Sequence, residues 1–241
     1  MKYQTEEKTE EYWAKKELKS ELLKLIQVLA GLPKSVYFNF YYFGFSGLKL
    51  PVLLSPKVKL KKLKGDVYIE SDFKLGMIKL GFPATETYDN KKLSFIWVND
   101  GIIVFKNSAS MHNGTSIRNY GVLEIGDNFH IPATATIICY KRISFGSDVL
   151  VGWNFEAVDG DAHKIYDIEK PTIRTNPDKE IVVGNKVWFG ADVRLYKGVN
   201  IANNTVVAAG TRIYRNQVNN ENCVIGDNPV RILKKNIVWK I

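Results

Sequence analysis

A spacing of six restricts the fold of this 241-residue chain more than any other feature of its sequence. Val183, Phe189, Leu195, Ile201, Val207 and Ile213 follow one another at that interval, and Phe105, Met111, Ile117 and Leu123 keep it upstream. Ile125, Ile131 and Ile137 form a further run offset by two residues, and Phe145 and Val151 resume after another offset. A period of six fits neither an α-helix nor a simple strand. It fits a flat-sided coil in which each side is a short strand plus a tight corner, three sides closing one turn of 18 residues. Within the later run, the second position is small at Gly184, Gly190, Ala202 and Ala208, as corners require. The fifth position is β-branched at Val187, Val193, Val199, Thr205 and Thr211, as strands prefer. The leading residues then point inward and stack on their equivalents in adjacent turns. Such a coil gains stability from rung to rung and needs both ends capped, for which the N-terminal segment or the tail after Gly226 can serve. Periodicity does not give the hand, because a left-handed parallel crossover breaks the usual rule.

The rest of the chain is read around this coil. Residues 5–31 have the apolar spacing of a helix, through Tyr12, Leu18, Leu22, Leu25, Ile26 and Leu29, with Gly31-Leu32-Pro33 as its stop. Its polar face mixes Glu with Lys, which favours packing on protein over a membrane surface. Residues 34–56 read as a loop-rich aromatic stretch. Lys57, Lys59, Lys61, Lys62 and Lys64 alternate with Val58, Leu60 and Leu63 as a strand with one solvated face, and residues 65–104 as short, irregular β segments. The expected organisation is an N-terminal helix and aromatic region over 1–56, a β-helix over 57–236 with a loop insertion at 156–180, and a tail at 237–241.

Composition excludes several classes. Cys139 and Cys223 give neither a disulfide framework nor a metal spacing, and their apolar surroundings point to buried thiols. The N-terminus carries acids where a signal peptide needs basic and then apolar residues, and no stretch reaches the ~18–20 apolar residues of a membrane span. The expectation is a cytoplasmic protein with no membrane span. A net charge of +9 favours an anionic partner without naming it, and no nucleic-acid-binding motif accompanies it.

Gly184-Asn185-Lys186-Val187-Trp188-Phe189-Gly190, the rung Val207-Ala208-Ala209-Gly210-Thr211 and the closing Gly226-Asp227-Asn228-Pro229-Val230 resemble the C-terminal signature of hexapeptide-repeat acyltransferases. The resemblance covers about residues 105–236. It implies a mainly β fold, a left-handed parallel β-helix, assembled as a homotrimer with acyl-CoA in the cleft between subunits. Residues 156–180 break the hexad and contain Asp159, Asp161 and His163. They resemble the loop of sugar O-acetyltransferases, in particular those that modify capsule, lipopolysaccharide or other surface saccharides. There a histidine is the catalytic base, and a tryptophan about one coil later lines the site; His163 and Trp188 hold those positions here.

The chemistry implied is acetyl transfer from acetyl-CoA to a saccharide hydroxyl. A histidine, which titrates near neutrality, can take the hydroxyl proton as the oxygen attacks. Asp161, Asp159 and Glu156 are candidates to orient it. For the cofactor, Ala208, Ala209 and Gly210 leave backbone groups open to the pantetheine amides, and Arg212, Arg215, Arg231, Lys234 and Lys235 are candidates for the phosphates. No metal is expected. His112 and His130, 18 positions apart, are read as histidines stacked on the surface one coil apart. A γ-type carbonic anhydrase would need three zinc-binding histidines, including a close pair that is missing. Transfer to an amino sugar nucleotide and a non-catalytic β-helix assembly protein remain as alternatives.

Overall fold

A computed structural model describes residues 10–84, 88–89, 91–215 and 220–240, with side chains from residue 22 onward. The chain winds into a coil of three parallel walls, the left-handed β-helix architecture of hexapeptide repeats. Ala109–Met111 lies in the first wall, Ser116–Asn119 in the second, Val122–Ile125 in the third, and Phe129–Ile131 returns to the first. Phe105, Ile125, Phe145, Val183 and Ile201 stand above one another in the third wall. Ile117, Ile137, Ala157, Leu195 and Ile213 do so in the second. All of these are buried, and the Phe155 ring lies 5.0 Å from that of Phe189 across the interior. Truncating such a ring to alanine leaves a cavity costing about 3–5 kcal/mol, so the hexad leaders carry the fold.

The turn length departs from the expected 18. Met111 faces Ile131 and Ile117 faces Ile137, a step of 20 residues. Later, Phe189 faces Val207 and Leu195 faces Ile213, a step of 18. The extra two residues enter between the second and third walls, where the path from Ile117 to Ile125 passes through the buried Leu123. The offsets in the sequence are therefore a wider third side. The corners are also corrected. Lys186, Asp192, Gly198, Asn204 and Gly210, at the fourth hexad position, have φ between 53° and 82°. That left-handed region suits Gly, Asn and Asp. The second position is small for another reason: a Cβ on Gly190 would lie 2.6 Å from Ala209 N in the next coil.

The coil extends back to Val52–Leu54, the edge strand of the first wall, and a helix covers it. This helix, α1, spans Glu10–Phe43 and passes through Pro33 instead of stopping there; residues 5–9 lie outside the described residues. The stretch read as loop from residue 34 is thus helical to Phe43, followed by a 3-10 turn over Gly44–Lys49. Docking on both sides of Pro33 outweighs the N–H that proline lacks. Gly31 sits so close to the strand that a Cβ would lie 1.9 Å from Leu54 O. Ser35 Oγ accepts the Leu54 N–H at 2.9 Å, and Asn39 accepts from Val52 N at 3.1 Å while donating to Val52 O at 2.7 Å. Lys34 Nζ donates to Pro56 O and Val58 O. Side chains of α1 thus complete an edge that would otherwise present unpaired backbone groups. At the other end, Cys223–Gly226 pairs antiparallel with Arg231–Lys235 and ends the parallel winding.

The longer turn also changes the histidine pair. His130 faces Ser110, not His112, and its Nδ1 lies 2.6 Å from Ser110 Oγ. The two imidazoles still meet, with centroids 5.2 Å apart. His112 is half-buried rather than on the surface, with Nδ1 2.9 Å from Phe82 O, and burial holds its pKa down to about 4. The native state therefore binds fewer protons than the unfolded chain between about pH 4 and 6.5, and stability falls as pH drops through that window. The full loss is about 3 kcal/mol. Urea unfolding at pH 7 and 4.5 should show a smaller acid-induced loss in His112→Gln than in wild type.

Candidate active site

The chain leaves the coil after Phe155–Val158 in the second wall and returns at Ile181–Val183 in the third. The loop bearing His163 therefore projects from the edge where those walls meet. Asp159 forms its base. Fully buried, its carboxylate accepts the backbone N–H groups of Tyr140 at 2.6 Å, Lys141 at 2.8 Å and Arg142 at 2.7 Å. Asp161 pairs with the Lys197 ammonium and accepts from Asn176 Nδ2 at 2.8 Å. The Lys197 hydrogen bond, and then that from Asn176, hold its carboxyl below the usual range, so it stays ionised wherever a histidine titrates. Glu156 faces Arg194 at 3.9 Å on the outer side of the second wall. His163 is exposed, and among the described residues none hydrogen-bonds its ring. The three acids considered as its orienters are all engaged elsewhere.

Asn176 organises the loop, and sequence reasoning passed over it. Its Nδ2 donates to Asp161 and, at 2.8 Å, to His163 O; its Oδ1 accepts from Ile165 N at 2.7 Å. The available signal was the Asn176-Pro177 pair, a turn former within the insertion. Asn176→Ala is expected to speed hydrogen exchange at the Ile165 amide by about tenfold, the equivalent of one lost hydrogen bond. Mass-spectrometric exchange across residues 163–178 checks this. Tyr120 and Tyr140 were also missed. Their rings stack on the outside of this edge at 5.6 Å and 14°, and a Cβ on Gly160 would come within 2.9 Å of Tyr140 Cδ2. The pair recurs at the 20-residue turn length, which a search for six or 18 does not pick out.

A separate cleft of about 320 Å³ lies near the C-terminal end of the coil, lined by Ala209, Gly210, Thr211, Arg212, Asp227 and Asn228. It gathers three of the residues singled out for the cofactor. Gly210 has φ 76° and open space where a Cβ would stand, and the buried Thr211 Oγ1 donates to Ala208 O at 2.7 Å to fix the turn. Arg231 reaches the cleft through Asp227, 2.6 Å away. Lys234, exposed in the closing hairpin opposite Val224, is not part of the lining, and neither is Trp188. Trp188 stands half-exposed on the first wall, its ring 6.1 Å from Trp239, whose Nε1 donates to Lys186 O at 2.8 Å.

No family model matches the chain. The structure of the polySia specific acetyltransferase NeuO superposes with a TM-score of 0.58 over 79% of each chain, at 19% identity, and so shares the fold. The polysialic acid O-acetyltransferase of Neisseria meningitidis is 35% identical over 89 residues, 37% of this chain and 39% of that protein. The galactoside O-acetyltransferase of Escherichia coli strain K12 is 28% identical over 117 residues, 47% of this chain and 54% of that protein. The chain thus spans about half or less of these two relatives. Repeat, coil and relatives agree. The chain has the hexapeptide-repeat coil and is similar over part of its length to sugar O-acetyltransferases. In this coil, the His163 loop and Trp188 are separated by topology. The loop leaves at the edge between the second and third walls, whereas Trp188 lies on the first wall, the side of the prism opposite that edge. One chain does not bring the two residues together.

Proposed function

We propose that the protein transfers an acetyl group from acetyl-CoA to a hydroxyl of a saccharide, with His163 as the general base. What carries the proposal is the His163 loop, ordered by Asn176 and Asp161 on the edge of a hexapeptide-repeat coil. As the saccharide oxygen attacks the thioester carbonyl, an imidazole nitrogen of His163 takes its proton. The tetrahedral intermediate then collapses, the C–S bond breaks, and the imidazolium returns the proton to the departing CoA thiolate. The stacked Tyr120 and Tyr140 beside the loop offer flat, polar-edged surface suited to a sugar ring. The cleft at Ala209, Gly210 and Arg212 suits the cofactor, its open backbone facing the pantetheine arm. Arg212 and Arg231 would meet the phosphates, the latter exchanging Asp227 for a phosphoryl oxygen.

The opposed positions of His163 and Trp188 support a site shared between copies, His163 from one chain and Trp188 from the next in a homotrimer. Thiol release from acetyl-CoA with a panel of neutral, sialylated and amino-sugar acceptors tests the activity and separates O- from N-transfer. Absence of acceptor-dependent release across the panel would overturn the proposal. Mixed assemblies of His163→Ala and Trp188→Ala chains, each inactive alone, should regain activity if the site is shared; none would return if each chain holds a whole site.

A further inference from the structure

The inward side of α1 is built from the small and polar residues Gly31, Ser35 and Asn39, with Phe38, Tyr42 and Phe43 as its large anchors and Phe38 set against Trp97. The apolar side chains point the other way. Leu22, Ile26, Leu29, Tyr37, Phe40 and the following Phe45 are 50–82% exposed, on a helix whose coil contacts are already satisfied. A helix of a water-soluble surface has the opposite arrangement. Charge along the sequence that carries this face is equally one-sided. From residue 22 to residue 65 there are eight lysines and no aspartate or glutamate, a local charge of +8 within a chain of +9. The glutamates that made the helix look mixed in sequence all precede residue 22. Lys34 clasps the backbone at Pro56 and Val58, which ties the start of the lysine-bearing strand Val58–Leu63 to the helix.

We infer that α1 is a peripheral docking element that seats the N-terminal end of the coil on an anionic phospholipid bilayer. The apolar face enters the boundary between headgroups and acyl chains, and the exposed Lys59 and Lys61 lie among anionic headgroups. Charge complementarity selects this occupant. A second copy meeting the face symmetrically would set the same lysines against each other. The helix lies on the bilayer rather than through it: among the described residues no helix is long and apolar enough to cross.

Vesicle flotation of the full chain tests this, using phosphatidylcholine vesicles with and without phosphatidylglycerol. Wild type should float with the anionic vesicles, and high salt should weaken binding. Ile26→Asp combined with Phe40→Asp changes exposed side chains only, so it should keep the wild-type melting temperature and bind about tenfold less or weaker. Lys59→Glu with Lys61→Glu should weaken binding by a similar factor through charge. Failure of wild type to float with anionic vesicles, or equal flotation with neutral ones, would overturn the inference. So would absent vesicle binding coupled to a drop in assembly mass of the double aspartate variant by light scattering, which would make the face an interface between copies.

Discussion

Replacing His163 by alanine is expected to lower acceptor-dependent CoA release by about 10²–10⁴-fold, the contribution of a positioned general base. His163 is exposed, and among the described residues its one hydrogen bond uses its backbone carbonyl, which alanine keeps. The variant should therefore melt with wild type and still bind acetyl-CoA. Unchanged turnover in a folded, CoA-binding variant would move the base elsewhere on the edge.

The second large effect lies four residues away and is of another kind. Asp159→Ala should cost about 3–5 kcal/mol of stability, because it strips a buried carboxylate from three backbone N–H groups that have no water to turn to. Those N–H groups belong to Tyr140, Lys141 and Arg142 in the preceding coil, so the loss reaches beyond the loop. Asp159→Asn, which can accept but carries no charge, should fall between. Equilibrium urea unfolding gives the ordering; a loss under about 1 kcal/mol would show that the freed N–H groups are rehydrated. The two neighbours in Asp159-Gly160-Asp161-Ala162-His163 thus separate into a structural and a chemical failure.

That separation marks what the residues alone disclosed. The inward placement of Val183, Phe189 and Leu195, one on each wall, was legible because each internal column demands an apolar residue at every turn, and any break would bury a polar group. The 20-residue turns were partly hidden, since Leu123 and Ile125 are both inward and a search by sixes can follow only one of them. The path of α1 was misread because Gly31 and Pro33 are locally helix-ending, and only contact with Val52–Leu54 reverses that preference. Within the loop, the sequence offered Asp159, Asp161 and Glu156 as equivalent carboxylates. Their differences arise from partners far along the chain, the Tyr140–Arg142 backbone, Lys197 and Arg194, which no local pattern discloses.

Strands that rest squarely on one another make height along this molecule a counted quantity. Four steps of the first wall, from Val52–Leu54 to Leu150–Val151, separate the strand under α1 from the turn that releases the His163 loop. At about 4.8 Å per step the chain is a ruler with the His163 loop as a mark roughly 20 Å from the covered end. The ruler can be recut. Residues 102–121 make one closed turn, because Ile102 faces Val122. Deleting or duplicating that turn would slide the mark by a single graduation while every join remained strand to strand. Variants one graduation shorter or longer would measure how far the acceptor reaches to be modified.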